Sequence, residues 1–253
     1  MAAMVFIRYA MMDRKKMIKK ETEAYVRETF SSIASNYDLL NTLLSFNRDK
    51  YWRNFAVSKT GLGYGEKALD VATGTGELAL ELAEKVGREG MVTGIDFCQK
   101  MLSNAQDKLG KARCQNVELI QTSALALPFP DSAFDCATIS FGLRNVVDIK
   151  QTLREMTRVL KVGGRLVCLE FSQPNHRIFR WIYHLYNSSI LPFVGWLISR
   201  NRDAYTYLPR SIEEFLSPLQ LKQTMEKVGL RNIEVYPLTL GIVTVHIGTK
   251  KGV

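Results

Sequence analysis

The chain has 253 residues, 46% of them apolar and 23% charged, and a formal net charge of +9, which suits one α/β domain with attachments. Its four cysteines (Cys98, Cys114, Cys136, Cys168) form no CxxC pair and its three histidines stand far apart, which argues against a disulfide framework or a metal site and for free thiols in a reducing cytosol. No run reaches the length of a membrane span, and the opening MAAMVFIRYAMM, broken by Arg8, is too short in apolar residues for a signal peptide.

The positive charge is localised. Residues 1–20 carry Arg8, Arg14, Lys15, Lys16, Lys19 and Lys20 against Asp13, and residues 173–210 carry Arg177, Arg180, Arg200, Arg202 and Arg210 against Asp203. The rest is neutral, so the expected anionic partner is a local surface, such as phospholipid on the inner face of the cytoplasmic membrane, and no nucleic-acid groove is expected. Solvated charge that keeps the protein soluble explains the tail equally well. The organisation expected is a basic tail over 1–20 and a single domain over 21–253, with a helical region at 21–60 and an aromatic, basic insert at 173–210.

From Glu21 to Val57 apolar residues recur every three or four positions (Phe30, Ile33, Tyr37, Leu40, Leu43, Leu44), which predicts helix broken or capped near Ser35 and Asn36. KALDVATGTGELALELAEKVGREGMVTGID then reads as a strand (Ala68 to Val71), a glycine loop, a helix (Glu77 to Val86) and a strand (Met91 to Ile95). A helix over Gln99 to Leu109, a strand over Val117 to Gln121 and a strand over Cys136 to Ser140 follow. A helix over Val147 to Leu160 leaves through Gly163 and Gly164 into a strand from Leu166 to Phe171. The insert RIFRWIYHLYNSSILPFVGWLISRNRDAYTYL is interrupted by Asn187, Ser188 and Pro192, and it suits a headgroup interface, a lid, or a helix pair packed on the core. After a helix at Ser211, segments 233–237 and 242–249 form a hairpin. The fold class expected is α/β, mostly parallel with an antiparallel C-terminal hairpin and helices on both faces.

Gly74 and Gly76 let the backbone bend and let a ligand approach, and Asp96 ends the second strand where a carboxylate accepts both hydrogen bonds of a ribose diol. NAD, FAD and S-adenosylmethionine sites all use such a turn. Asp70 at the strand tip would repel a pyrophosphate, so it favours a cationic cofactor without phosphate, S-adenosyl-L-methionine. Ala72 stands where such loops often begin with glycine, and alanine still leaves room.

FSSIASNYDLLN, DVATGTGE, ALPFPDSAFDCATISFGLRNV, RVLKVGGRLVCLEFS and GIVTVHIG, all in order, resemble the quinone C-methyltransferases of menaquinone and ubiquinone biosynthesis. The likeness spans roughly residues 25–250. It implies a Rossmann-like seven-stranded class I sheet and C-methylation of a polyprenyl quinol, demethylmenaquinol or a polyprenyl-methoxy-benzoquinol. Carried over, the family's cofactor positions fall on Thr75, Asp96, Ser123, Ala124 and Ser140, beside Asp70, Gly74 and Gly76 from the loop itself. Relatives often have Asn at 123 and Gly at 73. FGLRNV places Arg144 and Asn145 as the catalytic candidates. Water, Tyr207 and His246 are the routes open to the proton, Tyr37, Tyr207 and His246 are the alternative catalytic positions, and Asp148 is an alternative, structural partner for Arg144. A class I methyltransferase for RNA or another small molecule, and a cofactor-binding membrane scaffold, are the competing readings.

Overall fold

A computed structural model describes residues 24–174 and 202–252, with the side chains of 202–207 outside that set. The whole 1–20 tail and most of the 173–210 insert therefore lie outside the described residues. The chain opens with helix α1 (24–33), a 3-10 turn at Ala34–Asn36, helix α2 (Tyr37–Leu44) and helix α3 (Arg48–Lys59). It continues β1 (Lys67–Val71), α4 (Glu77–Val86), β2 (Met91–Asp96), α5 (Gln99–Lys111), β3 (Val117–Gln121), β4 (Phe134–Ser140), α6 (Ile149–Val159), β5 (Leu160–Phe171), α7 (Arg202–Glu214), α8 (Pro218–Lys227), β6 (Leu230–Leu238) and β7 (Val243–Lys250).

The seven strands form one sheet in the order β3-β2-β1-β4-β5-β7-β6. The first five pair in parallel, and β7 is antiparallel to both β5 and β6. The strand order reverses between β1 and β4, so a crevice opens beyond their carboxyl ends.

Strand periodicity divides the core in two. Ala68, Val92, Cys136, Val167, Val245 and Ile247 pack with Trp52, Ala56, Leu78 and Leu82 of α3 and α4. The intervening Leu69, Val71, Ile95, Ile139, Leu166 and Cys168 pack with Leu153, Met156, Leu221 and Met225 of α6 and α8. Both sheet faces are buried, as parallel sheets require. Cys136 and Cys168 are buried free thiols, and burial pushes both thiols well above their usual range.

The expected elements form, with two differences. Helix α6 stops at Val159, and Leu160 already pairs with Phe134. An irregularity then shifts the register before Cys136 pairs with Arg165. Gly163 takes φ +80 inside that irregularity, so its left-handed turn is a kink within β5, a strand that begins six residues before the expected Leu166. The second difference is α8, begun by a Ser217–Gln220 capping box with Pro218 at its first turn.

Candidate functional site

A cleft of about 780 Å³, counting its open mouth, lies beyond the carboxyl ends of β1 to β4. Ala72 and Gly74 enter it from the glycine loop, Asp96 and Phe97 from β2, Thr122 to Leu125 from β3, and Ser140 to Gly142 with Asn145 to Val147 from β4. Phe30 and Tyr37 reach it from the N-terminal helices. The cleft therefore brings together five expected site residues, Gly74, Asp96, Ser123, Ala124 and Ser140, with Asn145 beside them.

Asp96 is anchored by the backbone. Oδ2 accepts from the Gly74 N–H at 2.9 Å and Oδ1 from the Cys98 N–H at 2.8 Å. Burial raises its carboxyl above the ordinary value, against the pull of these amides. Each oxygen keeps a lone pair, so the carboxylate can still accept from a diol. Gly74 has φ +57, and a Cβ built there meets nothing within 4 Å. The loop thus leaves open space for a ligand against its backbone.

Asp70, Thr75 and Gly76 lie outside the cleft lining. Asp70 is buried beneath, with Oδ2 accepting from the Thr73 hydroxyl and Oδ1 from the Thr138 hydroxyl, both at 2.7 Å. Burial pushes this carboxyl up to about 6. The Thr75 hydroxyl bonds Asp38 Oδ1 of α2 at 2.5 Å, and Lys108 joins Asp38 to Glu77. Gly76 has φ +79 at the start of α4, where a Cβ would stand 3.1 Å from that of Ala105, so it serves close packing of α4 on α5. Ala72 takes φ +54: there is room for its methyl, but in a backbone region that alanine disfavours.

Arg144 sits in the 3-10 turn Leu143–Asn145, behind the cleft wall. Its Nη1 donates to Glu170 Oε1 and to the Phe141 carbonyl, each at 2.6 Å. Its guanidinium carbon lies 5.2 Å from the Phe171 ring centroid, and its Nε is buried with no hydrogen-bond partner. Sequence reasoning missed Glu170, whose acid inside an apolar strand was the available signal. Asp148 instead caps α6 by accepting from the Gln151 N–H.

Tyr37 is half-buried in the cleft wall. Desolvation raises its hydroxyl above the usual phenol value, while the Arg144 charge and the Asn41 bond pull it down. His246 is in β7 with Nε2 3.0 Å from the Pro218 carbonyl, away from the cleft lining. The side chain of Tyr207 lies outside the described residues.

Among the described residues no group of acids, histidines and cysteines could hold a metal ion, and no helix is long and apolar enough to cross a membrane. A cleft with an acid at the second strand tip, an open glycine edge and an apolar wall fits a nucleoside better than a pyrophosphate. The sheet order and this cleft define a class I methyltransferase that uses S-adenosylmethionine. A crystal structure of an S-adenosylmethionine-dependent methyltransferase from Aquifex aeolicus superposes with a TM-score of 0.58 at 20% identity, over 78% of this chain and 88% of that one. At that identity the likeness speaks for the fold alone. The particular family follows from sequence: the model of the ubiE/COQ5 methyltransferase family matches residues 17–250, and the chain belongs to that family. It is 46% identical, over 89% of its length and 96% of the relative's, to the ubiquinone/menaquinone biosynthesis C-methyltransferase UbiE of Geotalea daltonii. It is 40% identical, over 92% and 98%, to the demethylmenaquinone methyltransferase of Bacillus cereus.

Proposed function

We propose that the protein methylates a ring carbon of a polyprenylated quinol, most directly demethylmenaquinol, with the benzoquinol intermediate of ubiquinone biosynthesis as the second acceptor. The observation that carries this reading is family membership over nearly the whole chain, joined to a mostly apolar cleft that also presents Asp96, Ser123, Ser140 and Asn145. Bound S-adenosylmethionine supplies an electrophilic methyl on a sulfonium.

Asp96 takes the ribose hydroxyls and Gly74 leaves space for the ligand's approach. Ser123 and Ala124 flank the adenine end, between the apolar surfaces of Phe97 and Leu125. Ser140 and Asn145 border the donor end. Asp70, Thr75 and Gly76 act on the cofactor through the loop they hold.

An aromatic carbon attacks only when its neighbouring hydroxyl gives up a proton, so the site must stabilise a quinolate oxygen. Arg144 and Asn145 fill that role in this reading. Asn145 lines the cleft and is the direct donor, and Arg144, behind the wall, acts through the Leu143–Asn145 turn that it shares with Asn145. Glu170 neutralises much of the arginine's charge, so its larger part is to hold that turn. Tyr37 is the titratable hydroxyl in the cleft wall and the candidate to relay the proton.

The basic tail and the 173–210 insert bring the enzyme to an anionic membrane surface, a reading supported by their segregated charge; binding to anionic vesicles should then fall with salt. Mass spectrometry of quinones from a deletion strain tests the function. Accumulated demethylmenaquinone that disappears on complementation supports it, and an unchanged quinone profile refutes it.

A further inference from the structure

Helix α2 is apolar on two sides. Leu40 and Leu44 pack inward with Phe30, Ile33, Tyr37 and Leu208. Leu39 and Leu43, one turn apart on the other side, are 61% and 49% exposed. A surface helix needs one apolar stripe for its own core, so a second stripe marks a second apolar partner.

The charge beside this stripe has one sign. Arg48 and Lys50 are exposed. The acids of the same stretch are already paired: half-exposed Asp38 holds Thr75 and Lys108, and buried Asp49 holds Ser45 and Arg53. Exposed leucines followed in the chain by exposed cations, with the nearby carboxylates paired, match the interface of an anionic bilayer, where apolar groups enter the acyl boundary and cations meet the headgroups.

We infer that Leu39 and Leu43, with the exposed Arg48 and Lys50 that follow them in the chain, form a bilayer-docking surface. The inference rests on the quinol reading, because a polyprenyl acceptor resides in the bilayer and α2 also carries Tyr37 into the cleft. Two connections join this surface to the cofactor loop. Asp38, next to Leu39, bonds the Thr75 hydroxyl. From the turn after α2, Ser45, Asp49 and Arg53 lead to Glu77 and Glu81 of α4. Docking and the glycine loop therefore share a rigid frame.

The test is co-sedimentation of the full-length protein with vesicles of mixed phosphatidylglycerol and phosphatidylcholine, and with phosphatidylcholine alone. The double substitution Leu39→Glu, Leu43→Glu should lower partitioning onto anionic vesicles by at least about tenfold, since two leucines no longer leave water. Arg48→Glu with Lys50→Glu should remove the preference for anionic over neutral vesicles. Thermal melts and calorimetric titration with S-adenosylmethionine, both expected to match the parent, show that the variants remain folded. The inference is overturned if the leucine variant sediments as the parent does, if the parent ignores anionic vesicles, or if the substitutions instead convert a dimer into a monomer. Failure of the functional reading is separable: the parent would then not methylate a short-chain, water-soluble quinol, whatever the vesicle result.

Discussion

Arg144 and Glu170 form a buried ion pair at the carboxyl end of the sheet, Nη1 to Oε1 at 2.6 Å, and the Arg144 backbone N–H reaches the other carboxylate oxygen at 3.2 Å. Glu170 also accepts from the Phe171 N–H at 2.8 Å, so one carboxylate fixes both the turn that carries Asn145 and the end of β5. Removing it strands a buried guanidinium. Glu170→Ala should cost about 3–5 kcal/mol in urea unfolding. A loss below 1 kcal/mol would mean that the pair does not hold this turn.

Arg144→Lys keeps the charge but replaces the planar guanidinium, whose Nη1 serves both Glu170 and the Phe141 carbonyl, with a flexible point donor. Turnover should drop sharply while affinity for S-adenosylmethionine stays near that of the parent. Equal turnover would move catalysis elsewhere, with Tyr37 the next residue to test.

Asp96→Ala removes the two acceptor positions offered to a ribose and also releases the Gly74 N–H. Calorimetry should show cofactor binding weakened by about 1–3 kcal/mol. Unchanged binding would place the ribose elsewhere in the cleft.

Ala72 holds a left-handed backbone at φ +54, which costs an alanine roughly 1–2 kcal/mol relative to glycine. Its methyl also fills the space above Gly142, where a Cβ would lie 2.5 Å away. Ala72→Gly should therefore raise stability by about 1 kcal/mol, with the lost methyl contact offsetting part of the gain. Urea unfolding that shows the variant less stable would contradict the strain.

Two buried groups give opposite pH dependences. Asp70 is pushed up from 3.8 to about 6 by burial, so its ionised form is the costly one in the fold. That cost is absent below the unfolded value, grows between the two, and is complete above the folded one, at roughly 3 kcal/mol. Asp70→Asn should gain on the parent as pH rises from about 4 to about 7.5. His246 is pushed down from 6.5 to about 4 by burial, so the unfolded chain binds a proton the fold refuses and stability falls through that window. Removing the imidazole, as in His246→Leu, should flatten the acid limb. Denaturant curves at several pH values check both, and parallel curves for variants and parent would contradict both.

The sheet and the loop were legible because period-two strands, glycines and terminal acids report local backbone needs. Asp96 and Gly74 could be placed from a strand end and its glycine loop, whereas Ser123, Ala124 and Ser140 came through the family resemblance. The role of Asp70 was not, because a carboxylate at a strand tip can face a ligand or turn inward, and the Thr138 hydroxyl that turns it inward comes from a strand 68 residues away. The Arg144–Glu170 pair was hidden for the same reason, being made across strands. The outward leucines of α2 fitted the same period as the inward ones, so the sequence pattern could not separate the core face from the second face.

Transfer of an isotopically labelled methyl group from S-adenosylmethionine to demethylmenaquinol by the purified protein tests the central claim most directly. The account predicts a quinol heavier by one methyl group, with the label on a ring carbon and transfer lost in Asp96→Ala. Label on a quinol oxygen, or cofactor binding with no transfer to either quinol, would contradict it.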